Sequence, residues 1–142
     1  MQISIGGLRL RQTWLTVVLV AWAVPAWAQT SDCGDLDTQI EMTQCAEEEW
    51  NAADAELNDA YRAAIDVMKQ VDGNLPQTDR GAVDFLRQAQ RDWMSFRDNA
   101  CAAEGYMMHL GSAEPMVIYG CRARLTKQRT EDLMIVTTGN GD

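Results

Sequence analysis

The sequence predicts an all-α domain, a three-helix up-down-up bundle stapled at one end by two disulfides. Apolar residues recur at steps of three and four along three segments, as amphipathic helices require. Clusters of turn-forming residues separate those segments, and no stretch alternates with the period of two that marks a strand. Four cysteines fall near helix ends that such a topology brings together.

Residues 1–28 read as a cleaved signal peptide. Arg9 and Arg11 form a basic n-region, TWLTVVLVAWAVPAWA is apolar from Thr13 to Ala28, and Ala26-Trp27-Ala28 is an A-x-A cleavage pattern. The apolar run is short for a membrane span, and Pro25 interrupts its end. Cys33 follows Thr30-Ser31-Asp32 rather than a small-residue lipidation motif, so no lipid or membrane anchor is expected. The chain is therefore expected to be exported, with the periplasm as the compartment and secretion to the outside as the alternative. What remains is one helical domain, residues 29–136, with a mobile tail at 137–142.

Charge narrows the partner. The chain has 12 Lys and Arg against 21 Asp and Glu, and loss of Arg9 and Arg11 with the signal takes the formal charge from −9 to −11. Phosphate binding needs Lys and Arg, so DNA, RNA and anionic lipid are poor partners. A cationic protein is a better one, through steering and complementarity, although acidity also serves solubility alone. The oligomeric state is not legible.

The first helix begins at a capping box, Thr38-x-x-Glu41. Its stripe runs Met42, Ala46, Trp50, Ala53, Leu57, Ala60, Ala64, Met68 and Val71, and Asp72-Gly73-Asn74-Leu75-Pro76 ends it. The second starts near Thr78 or Asp79, carries Val83, Leu86, Ala89, Trp93, Phe96 and Ala100, and stops at Gly105. A connector from Tyr106 to Gly111 follows. Ser112 is positioned to cap the third helix, with Pro115 tolerated in its first turn and Ile118, Cys121, Leu125 and Leu133 on its inner face.

The even cysteine count in a small exported domain reads as two disulfides among Cys33, Cys45, Cys101 and Cys121. Matched depth along the bundle slightly favours Cys45–Cys121 with Cys33–Cys101. Local pairing, Cys33–Cys45 with Cys101–Cys121, stays open beside it.

The stretch AQRDWMSFRDNAC (89–101) mixes charges and aromatics. On a helical wheel Arg91, Asp92 and Asp98 face outward, whereas Arg97 falls inside the apolar stripe beside Trp93. An arginine there must snorkel or find a carboxylate. Asp54 on the first helix and Asp132 on the third are the candidates for an ion pair that fixes helix register.

Taken together, CAEEEWNAADAELNDAY (45–61), AQRDWMSFRDNAC (89–101), GSAEPM (111–116) and CRARLTKQR (121–129) resemble the LprI-like lysozyme-inhibitor domain family in order and spacing. The resemblance covers about Cys33 to Leu133. It implies a small exported helical domain that binds lysozyme or a related cell-wall hydrolase. The matching positions include Asp54, Leu57, Trp93, Arg97, Asp98, Gly111, Ser112 and Arg129. Most of them read as packing, caps and disulfides, and the family supplies no inhibitory residue set to carry over.

The candidate partner-binding residues are therefore chosen on chemistry. Glu47, Glu48 and Asp54 make the first helix acidic, matching a cationic lysozyme. Arg97 is a further candidate. Tyr106, His109 and Glu114 belong to the connector YMMHLGSAEPM, a long link flanked by cysteines and so a candidate binding loop. Met107, Met108, His109 and Met116 give the same connector a soft-metal reading, copper(I) in an exported protein, against adaptable methionine packing. No cofactor is implied. No nucleophile–His–acid order, G-x-S-x-G or metal motif is present, so an enzyme is not expected. Glu104 and Glu114 are too ordinary in so acidic a chain to mark a glycosidase. The other functional class is an envelope interaction module without inhibitory activity.

Overall fold

The computed structural model describes Cys33 and residues 36–139, so the expected signal peptide at 1–28 lies outside the described residues. Three helices account for nearly all of it: α1 (Gln39–Gly73), α2 (Ala82–Gly105) and α3 (Glu114–Thr138), with 3₁₀ turns at Gln77–Asp79 and Tyr106–Met108. They run up, down and up. The helix of 35 residues, α1, extends ~50 Å at 1.5 Å per residue and packs most extensively against α3.

α1 begins as its sequence requires. Thr38 is extended, and its hydroxyl accepts from the Glu41 N–H at 3.2 Å. Glu41 Oε2 in turn accepts from the Thr38 N–H at 3.2 Å, which completes the capping box. Its inner face is built from small residues, Ala46, Ala53, Ala60 and Ala64, with Leu57 among them. That smoothness lets α3 lie close. Leu57, Ala60, Ala64, Leu86 and Leu133 form the core cluster, and Tyr61, Ile65, Met68, Trp93 and Val136 pack around it.

The face of α2 is rotated from the one its apolar residues suggest. Leu86, Gln90, Arg97, Cys101 and Gly105 are buried, while Ala89 is exposed and Phe96 is 60% exposed. Two polar residues win the inner face because each finds a partner there. Gln90 Oε1 accepts from Arg129 Nε at 3.1 Å, and Arg97 meets two carboxylates. α3 also hides its pattern, since its buried face includes Thr126 and Thr130, the latter donating to the Thr126 carbonyl at 3.0 Å.

The α1–α2 turn is closed by Asp72. Its Oδ1 accepts from the N–H groups of Gly81 and Ala82 at 2.9 Å each, and Oδ2 accepts from Val83 at 3.1 Å. A carboxylate from the end of α1 thus caps the start of α2, where the unsatisfied donors and helix dipole favour negative charge. α2 consequently starts at Ala82, later than Thr78 or Asp79. These three N–H bonds hold the Asp72 carboxyl below its usual range, with Arg80 adding a smaller pull.

Both disulfides lie at the opposite end of the bundle and are local: Cys33–Cys45 and Cys101–Cys121. The matched-depth pairing is corrected by this. Cys121 sits on the turn of α3 that faces the end of α2, with a Cα–Cα distance of 5.4 Å, so its neighbour is Cys101 rather than Cys45. The first bridge ties the chain before α1 to its second turn; the second joins two helices, closing a separation of 20 residues for roughly 3 kcal/mol of stabilisation. Ser112 does not cap α3. Ala113 occupies that position without a side-chain cap, and Pro115 falls in the first turn as expected. α3 includes Thr137 and Thr138, and residues 140–142 of the expected tail lie outside the described residues.

A low Asp72 pKa has a definite sign. Its contribution to stability is present above the unfolded carboxylate value and is lost as pH falls through the depressed folded value. Asp72→Asn should lower the melting temperature at pH 7, and the gap to wild type should narrow toward pH ~3. Thermal unfolding followed by circular dichroism across that range checks this. A gap that stays constant with pH would contradict it.

Candidate functional site

The sequence-derived candidates separate into two groups at the disulfide end. The first surrounds Arg97. Its side chain is 8% exposed, with Nη1 3.4 Å from Asp54 Oδ1 and Nε 3.1 Å from Asp98 Oδ1. The guanidinium also lies 5.2 Å from the Trp93 ring centroid and 5.5 Å from that of Trp50. Of the two expected partners, Asp54 is found, whereas Asp132 is exposed and makes no ion pair with Arg97. Asp98, expected to face solvent, is turned inward between two arginines. Arg122 Nε approaches the same Oδ1 at 3.3 Å, an ionic contact without hydrogen-bond alignment. Arg122 stacks 4.8 Å over Trp50, and Trp50 stacks 5.7 Å from Tyr119.

These contacts join all three helices: Trp50 and Asp54 from α1, Trp93, Arg97 and Asp98 from α2, Tyr119 and Arg122 from α3. Two guanidinium groups, two carboxylates and three aromatic rings meet in one cluster, in which Trp50 Nε1 and Arg122 Nε are buried without a hydrogen-bond partner. Arg97 is buried within this arrangement and paired with carboxylates of the same chain. Asp54 is half-buried and is occupied as well, also accepting from Asn58 Nδ2 at 3.1 Å.

The second group is the connector. Tyr106 and His109 stack with ring centroids 4.2 Å apart. Glu114, in the first turn of α3, reaches back to the loop: Oε1 lies 3.2 Å from His109 Nδ1, and Oε2 accepts from the Leu110 N–H at 3.1 Å. The hydrogen bond from His109, followed by that from Leu110, holds the Glu114 carboxyl below its usual range. The loop is pinned at its base too. A Cβ at Gly105 would lie 2.4 Å from Ile118 Cγ1, so only glycine permits this approach of α2 to α3.

What the connector presents is apolar. Tyr106, Met107 and Leu110 are 66%, 82% and 91% exposed. Leu110 adopts φ +65°, a left-handed conformation that L-residues with a Cβ avoid. Met107 was singled out in the sequence only as a soft-metal donor, and Leu110 not at all. Left-handed backbone at a leucine carries no local sequence signal. Met116 is directed away from the loop, with its sulfur 3.5 Å from Gln39 Nε2 on α1, so the four soft donors of the copper reading are divided. Among the described residues, no group of three His, Cys, Asp or Glu side chains could hold a metal ion.

Glu47 and Glu48 stand on α1 at the same end, half-buried and exposed respectively, with no ion pair among the described residues. Glu104 is instead paired with Arg124 at 2.8 Å. No helix among the described residues is long and apolar enough to cross a membrane.

Fold and surface define a small disulfide-stapled helical domain with a braced, exposed apolar loop at its disulfide end. The chain belongs to the family described as lysozyme inhibitor LprI, whose model matches residues 30–133. An uncharacterised Rhizobium meliloti protein is 39% identical over 121 residues, spanning 82% of this chain and 87% of that protein. The uncharacterised protein YecT of Escherichia coli is 34% identical over 76 residues, 53% of this chain and 46% of YecT. No solved structure matches the chain.

Removing Arg97 tests the node. Arg97→Ala leaves Asp54 without its cation and a void between Trp50 and Trp93, and should cost about 2–4 kcal/mol in chemical denaturation. Arg97→Met fills the space and leaves Asp98 to Arg122, so it should cost about half as much. Equal losses of under ~0.5 kcal/mol for both would show that the node does not hold the bundle.

Proposed function

We propose that this protein is an exported, acidic, non-enzymatic binding domain that inhibits lysozyme or a related cell-wall hydrolase. The observation that carries this reading is the family match, which spans nearly the whole helical domain. Physical chemistry supports it in two ways. A formal charge of −9 before loss of the signal favours encounter with a cationic protein. Arg97, Arg122 and Arg124 are paired with Asp54, Asp98 and Glu104, and none of them neutralises Glu47, Glu48 or Glu49, which stay available to an outside cation.

Export follows from residues 1–28 and from a disulfide-bonded domain suited to an oxidising compartment, with the periplasm as the proposed site of action. There the protein would shield the glycan wall from lysozyme arriving from outside.

The test is a cell-wall turbidity assay with the oxidised Gln29–Asp142 protein. Inhibition should rise with inhibitor concentration, survive comparison with an acidic control protein of similar charge, and weaken above roughly 0.15 M salt. Full lysozyme activity at a large molar excess, across several lysozyme types, would overturn the reading and leave an envelope interaction module.

A further inference from the structure

We propose that the disulfide end of the bundle is the inhibitory face: the connector from Tyr106 to Leu110 enters the substrate cleft of the cationic hydrolase, and the acids at the start of α1 contact the cleft's basic rim. This rests on the reading of the protein as a hydrolase inhibitor and names the surface and the part of the partner it fits.

The connector is exposed where a structural loop would be covered. Large apolar side chains normally pack, and contiguous exposed ones mark interaction sites. Leu110 is 91% exposed and also holds φ +65°. Its side chain gains no burial within this chain to offset the strained backbone. Strain without burial fits a residue held in place for a partner.

The connector is also rigid. Glu114 takes the Leu110 N–H and His109, the Gly111 N–H donates to the Met108 carbonyl at 2.9 Å, and Tyr106 stacks on His109. Below it, Cys101–Cys121 and the Gly105–Ile118 contact fix both stems. Binding an already ordered loop costs little entropy, the condition for a tight inhibitor.

Charge selects the same end. The first turns of α1 lie beside the first turns of α3, as the Gln39–Met116 and Trp50–Tyr119 contacts fix. Glu47, Glu48 and Glu49 therefore stand at the connector's end, with no ion pair among the described residues. Toward the opposite end Asp59–Arg62, Asp66–Lys69 and Asp84–Arg87 pair one turn apart, while Asp79, Glu131 and Asp132 also lack an ion pair but form no run of three. The run of three adjacent glutamates is the denser focus for a cationic partner. A convex apolar loop fits a concave site, and the main concavity of a glycan hydrolase is its substrate cleft. The bound inhibitor and an oligosaccharide should therefore exclude one another.

Three variants of the full mature protein test this, with binding to lysozyme measured by biolayer interferometry and competition by a chitin oligosaccharide. Met107→Ser with Leu110→Ser changes only exposed side chains, so its circular dichroism and melting should match wild type while its affinity falls at least ~30-fold, mostly through faster dissociation. Glu47→Gln, Glu48→Gln and Glu49→Gln together should slow association and flatten its salt dependence. Phe85→Ser, which removes a residue 80% exposed at the far end, should bind within about twofold of wild type. The oligosaccharide should displace wild type. If wild type inhibits and Met107→Ser/Leu110→Ser binds equally well, or the oligosaccharide does not compete, the inference fails while the inhibitor reading stands. If wild type binds no lysozyme, both fail.

Discussion

Arg97 is a cation almost wholly enclosed by protein, and the middle of this bundle is arranged around that fact. An isolated buried guanidinium would be costly, and a single carboxylate would repay only part of the desolvation. Here Asp54 and Asp98 share the charge, Arg122 balances the second carboxylate, and Trp50 and Trp93 supply polarisable faces. The geometry requires all three helices in one register. A slide of one turn would separate Asp54 from Arg97 by about 5 Å and strand both. An apolar node could match its stability but would define register less sharply, since the small alanine face of α1 permits sliding.

The two ends are then closed by different chemistry. At the Asp72 end one carboxylate gathers three backbone N–H groups and makes a short turn self-sufficient. At the other end the link between α2 and α3 is of equal length, and disulfide, glycine contact and Glu114 share the work of bracing it. The consequence is a rigid scaffold with one elaborated extremity. That extremity holds the exposed methionine and leucine, the aromatic stack and the unpaired glutamates together. Arg97 sits beneath it as support and ties the three helices together.

Much of this was legible in the sequence. The capping box at Thr38 and Glu41, the length of α1, the stop at Gly105 and the presence of Arg97 on an apolar face all follow from local rules of spacing and capping. Other features depend on partners distant in sequence. Nothing about Asp98 in isolation says that Arg122 will approach it, and Phe96 loses its core position because Gln90 and Arg97 find partners on the inner face. Asp72 reads locally as a turn residue, although its role is to cap a helix nine residues on. The disulfide pairing turned on which faces of α2 and α3 meet, which helical periodicity does not fix. Leu110 was invisible because its conformation is imposed by Glu114 and by the two stems.

A partner bound at the braced, acidic disulfide end would shield backbone there and leave the Asp72 turn untouched. Hydrogen–deuterium exchange of the mature protein with and without a saturating cationic lysozyme reads the contact surface without altering a residue. Added protection is expected in the connector, the first turns of α3 and the first turns of α1, with no change around Asp72 to Arg91. Protection centred on the Asp72 turn and the start of α2 would contradict binding at the disulfide end.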